Sequence, residues 1–214
     1  MDAGDGTMIP LGVMASGRVA PAGGPSSELT YSTGAGTGSF NASVPISSPS
    51  DDRQVVVALC SQSTNNVASG LTINGAAATQ DAYRNDRNRI WVMRAAVPEG
   101  TTATIAFSML MTNYNFYVFA LYGAAGVAEA ATGVDSVTLA GTAPGDALIA
   151  ASMGWTNTAA PTWSGDVTFD ASEARTADDS MRGSVASGTA TAASSTATVH
   201  WASAAKSVAF VAYR

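Results

Sequence analysis

Leu71-Thr72-Ile73-Asn74-Gly75-Ala76-Ala77-Ala78 decides the fold class. Asn-Gly is the strongest two-residue hairpin signal, because both central positions of the tight turn need φ > 0. The stretch therefore predicts two short antiparallel strands. Outward from it, the same grammar of runs and turns continues. Upstream lie Leu29–Ser32, Ser39–Val44 and Gln54–Gln62, with the hairpin arm extended to Gly70–Ile73. Downstream, Ala76–Tyr83 and Arg89–Val97 flank the polar tip Asn85-Asp86-Arg87-Asn88, and Pro98-Glu99-Gly100 turns the chain into Thr102–Ser108. Asn115–Tyr122, Asp135–Leu139, Asp146–Met153, Val167–Glu173, Met181–Ser187, Thr189–Ala202 and Ser207–Arg214 complete the series, with a second turn at Pro144-Gly145-Asp146.

Short strands spaced by roughly 8–12 residues predict an all-β, antiparallel β-sandwich of jelly-roll-like winding. Phe116-Tyr117-Val118-Phe119-Ala120-Leu121-Tyr122 is apolar on both sides of the pleat, as is Val208–Tyr213. Such strands sit centrally or carry a neighbour over their outer face. Thr189–Thr198 instead alternates hydroxyl side chains with Ala, which fits one wet face. No repeat of fixed period is visible, which argues against a β-helix or propeller.

Composition agrees. Ala, Gly, Ser and Thr make up 110 of the 214 residues, and only 12% are charged, which leaves no solvated face for long helices. The formal net charge is −6 and nine of the ten basic residues are Arg, none in a run. Nucleic-acid binding is not expected, because neutralising phosphates needs clustered Lys and Arg. One Cys and one His cannot build a soft-ligand zinc site, and no metal or other cofactor is expected. No apolar run approaches the roughly 20 residues of a membrane helix, so membrane insertion is not expected. Asp2 and Asp5 precede Met8–Ala15, and Pro10 and Gly12 interrupt it, so a secretory signal is not expected either.

Residues 1–27 stand apart from the domain of residues 28–214. Their density of Gly and Pro defeats helix and regular strand. Met8, Ile9, Pro10, Leu11, Val13, Met14 and Val19 still form an apolar patch. An extended arm that docks on a partner accounts for both features, and a loose terminus is the plainer account.

Reactive constellations are sparse. His200, the only histidine, alternates with Val199 and Trp201, and no Gly-x-Ser-x-Gly elbow accompanies it. Asp51-Asp52 and Asp178-Asp179 are adjacent pairs, and neighbours on a strand point to opposite faces, so neither pair straddles one glycosidic bond. Asp170, Glu173, Asp178 and Asp179 mix with Arg175 and Arg182 in what reads as a charged edge. Trp155 and Trp163 flank a loop that holds Asn157. These three residues fit a glycan site in which an indole stacks on a sugar ring, and the same tryptophans fit caps on the end of the core. Trp91 and Trp201 lie in strands and read as core, and Tyr114, Asn115 and Tyr117 form a second polar-aromatic patch.

Met8-Ile9-Pro10-Leu11-Gly12-Val13-Met14-Ala15-Ser16-Gly17-Arg18-Val19-Ala20, followed by a Gly-rich hinge, resembles the opening of small virion appendage proteins of tailed bacteriophages. The run Arg53–Ala58, the Asn74-Gly75 hairpin, Ile90–Ala95 and Val97–Ile105 are similar in pattern to β-sandwich proteins of phage structural gene clusters. The resemblance implies a non-enzymatic virion protein: a head decoration, head spike or tail fibre subunit. It implies attachment by the arm to capsid, portal-neck or tail subunits, and a homo-oligomer or symmetric array. It also implies synthesis in the host bacterial cytoplasm, display on the virion surface and contact with the host surface. A carbohydrate-binding adhesin for host glycans is the first rival reading, and a polysaccharide-degrading enzyme the second.

Overall fold

The computed structural model describes residues 24–36, 38–62, 68–86, 88–109, 114–155, 159–174, 181–202 and 206–214. Two sandwiches follow one another along the chain. The first contains β1 (Ser26–Gly36), β2 (Phe40–Pro45), β3 (Gln54–Gln62), β4 (Ala68–Ile73), β5 (Ala76–Ala77), β6 (Thr79–Asn85), β7 (Asn88–Ala96), β8 (Thr102–Met109) and β9 (Tyr114–Tyr122). The second contains β10 (Val127–Gly133), β11 (Ser136–Leu139), β12 (Ala147–Trp155), β13 (Thr162–Gly165), β14 (Val167–Ala174), β15 (Met181–Thr189), β16 (Ser195–His200) and β17 (Lys206–Tyr213).

Each sandwich pairs a five-stranded inner sheet with a smaller outer one. The inner sheets have the orders β1-β9-β3-β7-β6 and β10-β17-β12-β15-β14, and the outer sheets β2-β8-β4-β5 and β11-β16-β13. All pairings are antiparallel. Successive strands cross between the paired sheets, β1 inner, β2 outer, β3 inner, β4 outer, which is jelly-roll winding. The sandwich expected from the sequence is therefore present twice.

The two inner sheets pack face to face, so four sheets stack around three cores. In β3, Val55, Val57 and Leu59 point into the first outer core, while Val56, Ala58 and Cys60 point into the central one. In β17, Val208, Phe210 and Ala212 enter the second outer core, and Ala209, Val211 and Tyr213 the central one. This is why β9 and β17 are apolar at both parities: each is covered on both faces.

Turn chemistry follows the sequence. Asn74 and Gly75 have φ of 51° and 79°, and Ile73 pairs with Ala76 across them. All four edge strands of the inner sheets carry an extra residue against their neighbour: Thr30 in β1, Asp81 in β6, Ala128 in β10 and Asp170 in β14, with a second register shift in β1 between Thr33 and Gly36. Such bulges twist an edge out of the geometry that would template a further strand.

Candidate functional site

The anchoring residues Met8, Ile9, Pro10, Leu11, Val13, Met14 and Val19 lie outside the described residues, as do Asn157 and the pair Asp178-Asp179. Trp155 ends β12, paired with Met181. Trp163 sits in β13, packs against the second outer core and donates its Nε1–H to Ser184 Oγ at 2.9 Å. Its polar handle is thus turned into the protein. Trp201 donates likewise to Ser152 Oγ at 2.8 Å and is buried, and Trp91 is buried and stacked on Tyr83. Tyr114, Asn115 and Tyr117, the second aromatic patch of the sequence, are all buried.

His200 is exposed on β16, and its Nε2 lies 3.0 Å from Ser164 Oγ. Cross-strand pairs Ser136–Thr198 (2.7 Å) and Thr138–Thr196 (3.1 Å) continue the same outer face. It is a row of small hydroxyls with one imidazole, and among the described residues that imidazole is bonded to a serine hydroxyl and not to the carboxylate a triad would need. Asp52 accepts from Ser50 Oγ and from the Gly123 N–H at 2.8 Å. The Ser50 bond, with help from Gly123, holds its carboxyl below the usual value against a smaller effect of burial. It is a turn-capping group. Among the described residues, no three of His, Cys, Asp and Glu gather as a metal site. Cys60 is fully buried, and desolvation pushes its thiol up to about 12, so it holds no thiolate at neutral pH.

No family model, curated protein or solved structure matches this chain. Its chemistry is read from the geometry alone.

The polar groups that the structure does bring together line the seam between the two sandwiches. Tyr213 Oη donates to Asp81 Oδ2 at 2.9 Å, and Arg94 Nε donates to Asp81 Oδ1 at 2.9 Å. Arg94 Nη1 reaches Gln54 Oε1 at 2.7 Å, and Gln54 Nε2 donates to Ala124 O at 2.7 Å in the linker. Ser207 Oγ donates to Asp86 Oδ1 at 2.7 Å. On the opposite rim, Ser32 Oγ donates to Glu173 Oε1 at 2.6 Å, and the Glu173 N–H donates to Tyr117 Oη at 3.1 Å. Three carboxylates thus each accept a hydroxyl from the other sandwich. The sequence placed Glu173 on a solvated charged edge. It is indeed on an edge strand, but that edge is closed against β1.

Sequence reading missed this seam because its members are far apart in the chain. One signal was available: Asp81 is a carboxylate inside the strand Thr79–Asn85, and Arg94 lies on the neighbouring strand, opposite Thr79. Burial raises the Asp81 carboxyl above its ordinary 3.8, although the Arg94 charge and the Tyr213 hydroxyl pull it down. Burial also drives the Tyr213 and Tyr117 hydroxyls well above 10, so both stay protonated, Tyr213 donating to Asp81 and Tyr117 accepting from the Glu173 N–H. For Asp86, burial pushes up, but hydrogen bonds from Ser207, Asn88 and Arg84 outweigh it, and the net shift is down.

The two carboxylates have opposite pH signatures. The contribution of Asp86 is complete above 3.8 and is lost as the pH falls through its depressed folded value. That of Asp81 is complete below 3.8 and is lost as the pH rises through its elevated folded value. In urea titrations from pH 3 to 7, Ser207→Ala should lower stability near neutral pH and shrink the further loss on acidification, because it removes a bond that depresses the folded value of Asp86. The stability gap between wild type and Asp81→Asn should narrow as the pH rises. Parallel profiles for all three proteins would contradict the assignment.

Proposed function

We propose that the chain is a non-enzymatic structural protein of a tailed-bacteriophage particle, an exposed head or tail appendage held by its N-terminal arm. The observation that carries this reading is where the arm joins the body. The apolar patch Met8–Val19 precedes β1, and β1 is an edge strand of an inner sheet. The arm therefore joins the body at the rim of the stack, and burying its apolar side chains on a neighbour would contribute roughly 25 cal/mol per Å² before entropic costs. Repetition of the contact in a symmetric array adds avidity. The body supports the reading by analogy of fold, since jelly rolls recur in viral capsid domains. The carbohydrate reading draws no support from Trp163, whose N–H is engaged with Ser184.

The test compares phage carrying the full chain with phage carrying a chain that starts at residue 24. The truncated protein should keep its β-sheet circular dichroism and melt within a few degrees of the full chain. Mass spectrometry of purified particles should find the full chain at a copy number set by particle symmetry, and not the truncated one. A truncated chain incorporated at the same copy number, or a full chain absent from particles, would refute the proposal.

A further inference from the structure

We infer that the chain is a tandem duplication, residues 26–122 and 127–214 being two copies of one jelly roll, and that the seam between them is a two-fold homodimer interface taken inside a single chain.

Strand order carries the first part. Replacing β1, β9, β3, β7 and β6 by β10, β17, β12, β15 and β14 converts one inner sheet into the other. Replacing β2, β8 and β4 by β11, β16 and β13 converts the outer sheets. Register then fixes residue counterparts, Gln54 with Ala147, Ala96 with Thr189 and Leu121 with Tyr213. Small features recur at these counterparts. The bulge residues Asp81 and Asp170 coincide, each one step before an Ala that pairs with Val92 or Val185. Asn74 donates its N–H to Thr104 O at 2.8 Å and accepts the Thr104 N–H on Oδ1 at 2.7 Å. Asp166 makes the same two bonds to Thr196 at the same two distances. The Arg53 N–H closes a turn on Ser50 O while its carbonyl accepts from Val97, and Asp146 does so with Ala143 and Ala190. Jelly-roll winding alone does not require side chains of one type to make one bond at one corner.

The packing carries the second part. β6 lies on β10 while β14 lies on β1; β7 lies on β17 and β12 while β15 lies on β9 and β3; β3 and β12 face each other. This reciprocity is the mark of an isologous contact, and it is incomplete: β6 also lies on β17, and β1 on β12 and β15, without the equal mates a strict two-fold would give. Fusion lets the two copies diverge, and they have diverged in compensating pairs. Tyr117 puts its hydroxyl over Gly183, where an added Cβ would come within 2.8 Å of it. The counterpart of Tyr117 is Ala209 and the counterpart of Gly183 is Ile90, both in the same central core. One contact is thus large over small, and its mate is small against large. Each half is now shaped for the other: pairing the first jelly roll with itself would set Tyr117 against Ile90, so the self-pairing belongs to the single copy that preceded the fusion.

Exchanging these pairs in the full chain tests the inference. Gly183→Ile alone collides with Tyr117 and Asn115, and Tyr117→Ala alone leaves a cavity that lowers Tm by roughly 10 °C. The combination Asn115→Ser, Tyr117→Ala and Gly183→Ile copies the residues of the mate contact, Ser207, Ala209 and Ile90. The reciprocal exchange is Ile90→Gly with Ala209→Tyr. The expected result is rescue: at least one combined exchange melts above both of its size-changing single variants, Tyr117→Ala and Gly183→Ile in the first, Ile90→Gly and Ala209→Tyr in the second. If neither combination melts above its size-changing single variants, or neither folds, the counterparts are not equivalent and the inference is wrong.

Discussion

Arg53→Ala should cost about 4 kcal/mol, because it removes a buried charge from a cage built only for that charge. Arg53 has no exposed surface. Its Nε donates to Val97 O at 2.8 Å, Nη1 to Ser47 O at 3.0 Å, and Nη2 to Glu99 O at 2.7 Å and Gly100 O at 2.8 Å. The guanidinium thus ties the turn before β3 to the turn between β7 and β8. Alanine leaves four carbonyls without these donors and a void where the largest fully buried side chain stood. Lysine keeps the charge but cannot reproduce the planar fork, so Arg53→Lys should recover only part of the loss. Urea unfolding followed by circular dichroism checks both. A loss below about 1 kcal/mol for Arg53→Ala would mean the cage does not hold.

Phe119→Ala should be of similar size, about 4 kcal/mol, for a different reason. Phe119 is fully buried in the central core, on β9 beside Val56 of β3. Its ring is part of the apolar mass that joins the two sandwiches. Truncation removes transfer free energy and leaves a cavity that two rigid sheets cannot collapse to fill. The midpoint of thermal unfolding should fall by roughly 10 °C. A variant as stable as wild type would mean the inner sheets do not pack through this residue.

Much of the fold was legible because strand boundaries are written in turn chemistry. Gln54–Gln62 is recovered residue for residue, and the Asn74-Gly75 hairpin has both positive φ values its turn demands. Two strands escaped. β10 reads Val-Ala-Glu-Ala-Ala-Thr-Gly, with small side chains of weak strand preference, and pairing with β17 defines it. β13 is four residues long and ends on Gly165 at φ 94°. Continuous apolarity in β9 and β17 announced strands covered on both faces, but not that each cover would be a different sheet. The duplication was hidden because few matching positions kept their side chains: Asp81 matches Asp170 and Thr104 matches Thr196, but Tyr117 matches Ala209 and Arg53 matches Asp146. The seam was hidden because the bonds across it join residues far apart in the chain, from 56 positions for Glu173 and Tyr117 to 132 for Tyr213 and Asp81.

The account stands on two jelly rolls packed through their inner sheets, and one hydrogen bond across that seam measures it. A double-mutant cycle of Tyr213→Phe and Asp81→Ala isolates the pair. The structure predicts a coupling of about 1.5 kcal/mol or more, as for a hydroxyl bonded to a buried carboxylate. Additivity to within about 0.5 kcal/mol would mean that the two residues do not meet, and would contradict the stacked arrangement.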